Sequence, residues 1–165
     1  MIEKFVRYHK ESLQTRRIIG VEVEFNVVVG RAHIRGSVDR LEVTAAGEIY
    51  VVDFKTGASP VSHADALTNM QMQAYQLAVV EGGFDERHPG RATAGAELVY
   101  LGSKNKDAPV RRQPPVDATE MRNEIQIIAE GMSGNAFTAS INDRCNNCQV
   151  RSACPIQSDG RMVME

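Results

Sequence analysis

The chain has 165 residues, 42% of them apolar and 24% charged, with a formal net charge of −2. That balance fits one folded domain whose core needs no staples, and it excludes nucleic-acid binding by bulk charge while leaving room for a local basic strip. No apolar run nears the roughly 20 residues that span a bilayer, and the start Met1-Ile2-Glu3-Lys4-Phe5 lacks the apolar core of a signal peptide, so a cytoplasmic protein is expected.

Residues 3–17 place Phe5, Val6, Tyr8 and Leu13 at the spacing of a short amphipathic helix. Residues 21–29 alternate as a strand, and Gly30 turns the chain into a second strand over 32–43. Thr44-Ala45-Ala46-Gly47-Glu48 fits a three-residue hairpin loop with Gly47 in the left-handed position. A third strand runs over 48–55 and ends at Thr56-Gly57-Ala58-Ser59-Pro60. Ser62 is placed to cap one long helix to Glu81, which Gly82-Gly83 stops. A fourth strand covers 96–101, and residues 102–112 read as a loop. Asp117 caps a last helix to Met132, with Met121, Ile125 and Ile128 on one face. This order implies an α/β domain with a mixed β-sheet covered by helices.

The chemistry is concentrated in Gly36-Ser37-Val38-Asp39-Arg40 and Val51-Val52-Asp53-Phe54-Lys55-Thr56-Gly57. Side chains alternate along a strand, so Asp53 and Lys55 share a face and Phe54 points away. Pairing Thr44 with Glu48 carries down the hairpin to set Asp39 opposite Asp53, where facing Cβ atoms lie about 4.5–5.5 Å apart. Two carboxylates that close repel unless something positive sits between them, and a divalent cation such as Mg²⁺ or Mn²⁺ removes the conflict. The plainer alternative is a strand-end ion pair of Asp53 with Lys55, beside a solvated Asp39. Farther on, Gln71 and Tyr75 stand four residues apart on one helix face. They either serve the acidic strand end, holding a phosphate or orienting a site residue, or form the polar shoulder of a packed helix. Lys104, Lys106, Arg111 and Arg112 outnumber Asp107 in residues 102–112 and are the candidate phosphate contacts.

All three cysteines lie near the C-terminus, as Cys145-x2-Cys148-x5-Cys154-Pro155. An odd, clustered set reads as a metal or iron–sulfur clip rather than a disulfide framework, with zinc also compatible. The set is one ligand short, since His63 and His88 are remote in sequence.

Taken together, Gly36-x-x-Asp39-Arg40, Val52-Asp53-Phe54-Lys55-Thr56-Gly57, Gln71-x-x-x-Tyr75 and the cysteine cluster resemble the RecB-type branch of the PD-(D/E)XK nucleases. The cluster is most similar to the iron–sulfur form found in AddB and AdnB subunits of bacterial helicase–nuclease complexes. Their order and spacing over residues 20–155 carry the resemblance. It implies a restriction-endonuclease-like mixed sheet flanked by helices, with a nuclease core over 1–140 and a cysteine segment over 141–165. It further implies that Asp39, Asp53 and the Phe54 carbonyl bind Mg²⁺ or Mn²⁺, and that Lys55 positions or activates the attacking water. Glu22 sits where the family often has a Glu on the entering strand, with Glu24 as its competitor. Gln71 and Tyr75 match the helix motif beside the active site, and Cys145, Cys148 and Cys154 match three ligands of a [4Fe-4S] cluster. The family's upstream helical His and upstream cysteine have no match here, since His9 and His33 stand in other contexts. The implied reading is a C-terminal piece of a longer helicase–nuclease, an exonuclease-type hydrolase acting on single-stranded DNA fed by a motor during double-strand-break processing and recombinational repair. The rest of that polypeptide and its partner subunit would be its partners. The rival readings are an inactive DNA-binding or scaffold module and a small zinc-binding interaction domain.

Overall fold

A computed structural model describes residues 1–84, 92–135 and 138–157. The chain forms two compact units, residues 1–127 and 128–165. In the first, helix α1 (Ile2–Ser12) leads into strands β1 (Arg16–Val29), β2 (Ala32–Thr44) and β3 (Ile49–Lys55). Helices α2 (His63–Leu67) and α3 (Met70–Val80) follow, then β4 (Thr93–Tyr100), β5 (Val110–Gln113) and α4 (Ala118–Ser133), which runs on into the second unit. The described strands form one sheet in the order β1-β2-β3-β4-β5, with β3 and β4 parallel and the other neighbours antiparallel. This is the mixed α/β sheet that the sequence implies, and no described helix is long and apolar enough to cross a membrane.

The register of the central hairpin follows from its turn. Gly47 takes φ 83°, a left-handed value that favours glycine, and its N–H bonds to the Thr44 carbonyl at 3.0 Å. The Thr44 N–H meets the Glu48 carbonyl at 2.9 Å, which fixes Val43 against Ile49 and Arg40 against Val52. Alternation then sorts β3 between two cores. Ile49 and Val51 pack with Met72, Tyr75, Leu77 and Ala78 of α3 and with Met121 and Ile125 of α4. Tyr50, Val52 and Phe54 face the other way, with Tyr8 of α1 and Val99. Asp53 therefore emerges on the α3 face and Phe54 on the α1 face.

Three expectations are corrected. The single helix expected from Ser62 to Glu81 is two. The Ser62 hydroxyl caps α2 through the Asp65 N–H at 3.0 Å, and Asn69 starts afresh by capping α3 through the Met72 N–H at 3.1 Å. Residues 102–112 are not all loop, because Val110–Gln113 pairs antiparallel with β4. The first helix stops at Ser12 and β1 begins at Arg16, accommodating an irregularity between Ile18 and Gly20. On α4, Met121 and Ile125 are buried, and Ile128 on the same helical face is 47% exposed.

Candidate active site

The paired part of β2 and β3 ends at Arg40 and Val52. One rung on, the Asp39 side chain takes over from main-chain pairing, its Oδ2 accepting from the Phe54 N–H at 2.6 Å. Asp53 is 5% exposed, and its Oδ2 lies 2.8 Å from Lys55 Nζ. Lys55 is thus the charged partner of Oδ2. On the other oxygen, Oδ1 accepts from Gln71 Nε2 and from the Tyr75 hydroxyl, both at 3.4 Å. Gln71 also donates to the Tyr75 hydroxyl at 2.7 Å and accepts from Lys55 Nζ at 2.9 Å. Asp53, Lys55, Gln71 and Tyr75 thus close a circuit, with Asp39 beside it.

Electrostatics mark the circuit as under-compensated. Burial pushes the Asp53 carboxyl above its ordinary value and the neighbouring Asp39 charge adds to the rise, against the pull of Lys55 and Tyr75. Burial also raises the Tyr75 hydroxyl, with the Asp53 charge next in weight. A buried carboxylate next to a second carboxylate suits a hard divalent cation. The donor set therefore fits Mg²⁺ or Mn²⁺.

Lys55 is aimed by the strand end behind it. Its carbonyl accepts from the Leu101 N–H at 2.9 Å and the Gly102 N–H at 3.4 Å, so the segment after β4 backs the segment after β3. A Cβ on Gly102 would collide with the Thr56 carbonyl, so only glycine permits this approach.

Other candidates lie outside the circuit. Glu22 is exposed, has the left-handed φ of 47°, and stands between the Val21–Arg40 and Val23–Val38 pairs, level with Asp39. It makes none of the circuit's hydrogen bonds, and Glu24 pairs in register with Ser37. Lys104 and Lys106 are exposed between β4 and β5. Arg111 Nε instead holds the Val61 carbonyl at 2.7 Å, and Arg112 pairs with Glu97 at 3.1 Å, so these adjacent β5 residues serve different neighbours. In the second unit, short 3₁₀ turns cover Cys145–Asn147 and Arg151–Ala153, and all three thiols are free. Among the described residues, no group of three or more His, Cys, Asp or Glu side chains is gathered closely enough to hold a metal. The three thiols thus do not by themselves fit an iron–sulfur cluster. His88 lies outside the described residues.

Sequence reasoning missed the back of the site. Arg40 (2% exposed) and Glu42 (0%) are buried under α1, where alternating charges on a strand read as solvent-facing. The available signal was Arg40 itself, adjacent to a site aspartate in a strand whose neighbours are apolar.

A mixed sheet with two aspartates and a lysine meeting at the end of adjoining strands defines the architecture of a metal-dependent nuclease core. The family model described as the PD-(D/E)XK nuclease superfamily matches residues 1–155, and the chain belongs to that superfamily. Its members are generally nucleases that use Mg²⁺ or Mn²⁺. No curated protein matches the sequence. Among 14 matching chains of known structure, the crystal structure of SSO0001 is 18% identical, covers 94% of this chain and 70% of its own, and superposes with a TM-score of 0.50, which supports the fold alone.

Proposed function

We propose that this chain hydrolyses DNA phosphodiester bonds at the Asp39–Asp53–Lys55 site. The buried Asp53 carboxylate, beside the Asp39 carboxylate and held by Lys55, carries the reading. Asp39, Asp53 and the Phe54 carbonyl would hold Mg²⁺ or Mn²⁺, which supplies Lewis acidity toward a phosphate oxygen and a lowered pKa for bound water. Lys55, paired with Asp53 at 2.8 Å, orients the attacking water and offsets charge growing on the phosphate. Gln71 holds the lysine at 2.9 Å, and Tyr75 steadies Asp53 from the buried side. Glu22, level with Asp39, joins from β1 when substrate is present. Lys104 and Lys106 take phosphates along the strand, with Arg111 and Arg112 as secondary contacts.

The finer reading places this domain in a helicase–nuclease that processes DNA ends for recombinational repair, working as an exonuclease in the cytoplasm. The order of its motifs and the cysteine spacing support it. An iron–sulfur or zinc clip on Cys145, Cys148 and Cys154 needs a fourth donor, either an atypical ligand or a residue outside this chain. Colourless protein with stoichiometric zinc after purification under anaerobic conditions would favour zinc; brown protein with iron and sulfide would favour the cluster.

The second reading, a DNA-binding module without chemistry, is favoured by the absence of a third metal-holding side chain among the described residues. A gel assay of the purified chain on single- and double-stranded DNA with Mg²⁺, Mn²⁺ or chelator separates the two. Metal-dependent cleavage that Asp53→Ala reduces by about 10³-fold, comparable to losing a key electrostatic group, supports the nuclease. Binding that survives chelator, with no cleavage in any metal, supports the module. Cleavage at the parental rate by folded Asp53→Ala overturns the site assignment.

A further inference from the structure

Each site aspartate is followed by a residue turned to the opposite face of the sheet: Arg40 after Asp39, and Phe54 after Asp53. The hydrolysis described above uses neither side chain, yet the two stack on each other. The Arg40 guanidinium lies 5.0 Å from the centre of the Phe54 ring and 5.1 Å from that of Tyr8. It pairs with Glu42 at 2.8 Å and reaches Ser12 Oγ at 3.4 Å and His9 Nδ1 at 3.3 Å, so α1 closes over it. Two more rings grip Phe54 edge-on, Phe5 at 5.3 Å and Tyr8 at 5.7 Å.

The Phe54 backbone N–H is the group that holds Asp39 Oδ2 at 2.6 Å. Fixing the Phe54 ring therefore fixes the donor that aims Asp39, while Arg40 fixes the strand on the other side of the pair. The same helix also braces the segment behind Lys55. Lys4 Nζ reaches Ser103 Oγ at 3.2 Å, and Arg7 binds the Lys106 carbonyl at 2.8 Å and Asp107 at 3.0 Å, just past Gly102.

We infer that Arg40 and Phe54 are positioning residues for the carboxylate pair and that docking of α1 sets the affinity of the site for a divalent cation. The inference rests on the metal-site reading proposed above. Coupling between two sites is reciprocal, so α1 must be held more firmly when the cation is bound. Neither effect requires the Arg40 side chain, the Phe54 ring or α1 to touch the ion.

The test uses the full 165-residue chain and Mn²⁺ as probe, with binding followed by electron paramagnetic resonance. Phe5 is 37% exposed, so Phe5→Ala loosens the stack without opening the core. Its half-saturating Mn²⁺ concentration should rise by about fivefold or more, the low end of a typical coupling. Phe5→Tyr, which keeps the ring, should restore the parental value. Phe54→Leu should weaken binding at least as much as Phe5→Ala, and if it does not fold, the Phe5 pair decides alone. Hydrogen exchange across Ile2–Ser12 should slow when Mn²⁺ is added to the parent chain. Half-saturation by Phe5→Ala within about twofold of the parent, or α1 exchange indifferent to Mn²⁺, overturns the inference. Failure of the underlying site reading looks different: Asp53→Asn then binds Mn²⁺ as well as the parent does.

Discussion

The two faces of the sheet at β2, β3 and β4 both bury carboxylates and treat them in different ways. Under α1, Glu42 meets Arg16 at 2.6 Å and Arg40 at 2.8 Å. Glu97 meets Arg16 at 2.7 Å and Arg112 at 3.1 Å, and it also accepts from the hydroxyls of Tyr8 and Tyr50. Burial pushes the Tyr50 hydroxyl up to about 12 and the Glu97 charge adds to it, so both tyrosines stay protonated as donors to that carboxylate. Two carboxylates face three guanidiniums there, so each negative charge has at least two positive partners. On the α3 face, two neighbouring carboxylates have one ion-paired cation: Lys55 pairs with Asp53, which also accepts from the neutral Gln71 and Tyr75, while Asp39 accepts from the Phe54 N–H. Buried carboxylates surrounded by guanidiniums hold the fold together, whereas a carboxylate pair facing one ammonium is where a cation and a phosphate fit.

Breaking the α1 side should show mainly in stability. Glu42→Gln leaves the buried Arg40 without its carboxylate partner, while Arg16 keeps Glu97, and the expected cost is about 3–5 kcal/mol, measured by denaturant unfolding. An effect under about 1 kcal/mol would mean that the network is wetter and weaker than its burial implies. On the site side the same kind of change should strike activity instead, as with Asp53→Ala.

Gly102→Ala sharpens the contrast, because it alters no charge. Its Cβ drives into the Thr56 carbonyl and displaces the segment that aims Lys55. A shift of about 1 Å at a reacting group can cost on the order of 10²-fold in rate, so cleavage should fall by about that much with metal binding less affected. Unchanged cleavage would show that the strand end tolerates the shift and that Lys55 is not held by this backing.

The smallest expected effect concerns pH. The folded carboxyl of Asp53 sits above its ordinary value because burial, then the Asp39 charge, disfavours ionisation. The native state therefore holds this proton more tightly than the unfolded chain does. Stability from this group is greatest below the ordinary carboxylate value and falls as pH rises to the raised one. Metal-free Asp53→Asn should lose that part of the decline and become the more stable protein at neutral pH, as read from melting temperature against pH. A parental slope in the variant would place the strain elsewhere.

The hairpin, its register and the circuit were legible because each rested on a local rule. Gly47 fixed the turn, the turn fixed Asp39 level with Asp53, and helical spacing put Gln71 and Tyr75 together. The break at Thr68-Asn69 escaped notice because it contains neither Gly nor Pro, although Asn69 is an ordinary capping residue. Strand β5 was hidden by its composition, since Val110-Arg111-Arg112-Gln113 offers little apolar alternation; it is a short edge strand. Arg40 and Glu42 were unreadable as core for a tertiary reason. Their partners Arg16, Tyr8 and Ser12 come from elements whose packing no local pattern reveals.

Anomalous diffraction from crystals soaked in Mn²⁺ tests the carboxylate-pair account most directly. The account predicts a peak between the carboxylates of Asp39 and Asp53, with Lys55 Nζ displaced from its contact with Asp53. Bound Mn²⁺ located elsewhere, with the Lys55–Asp53 pair left intact, would contradict it.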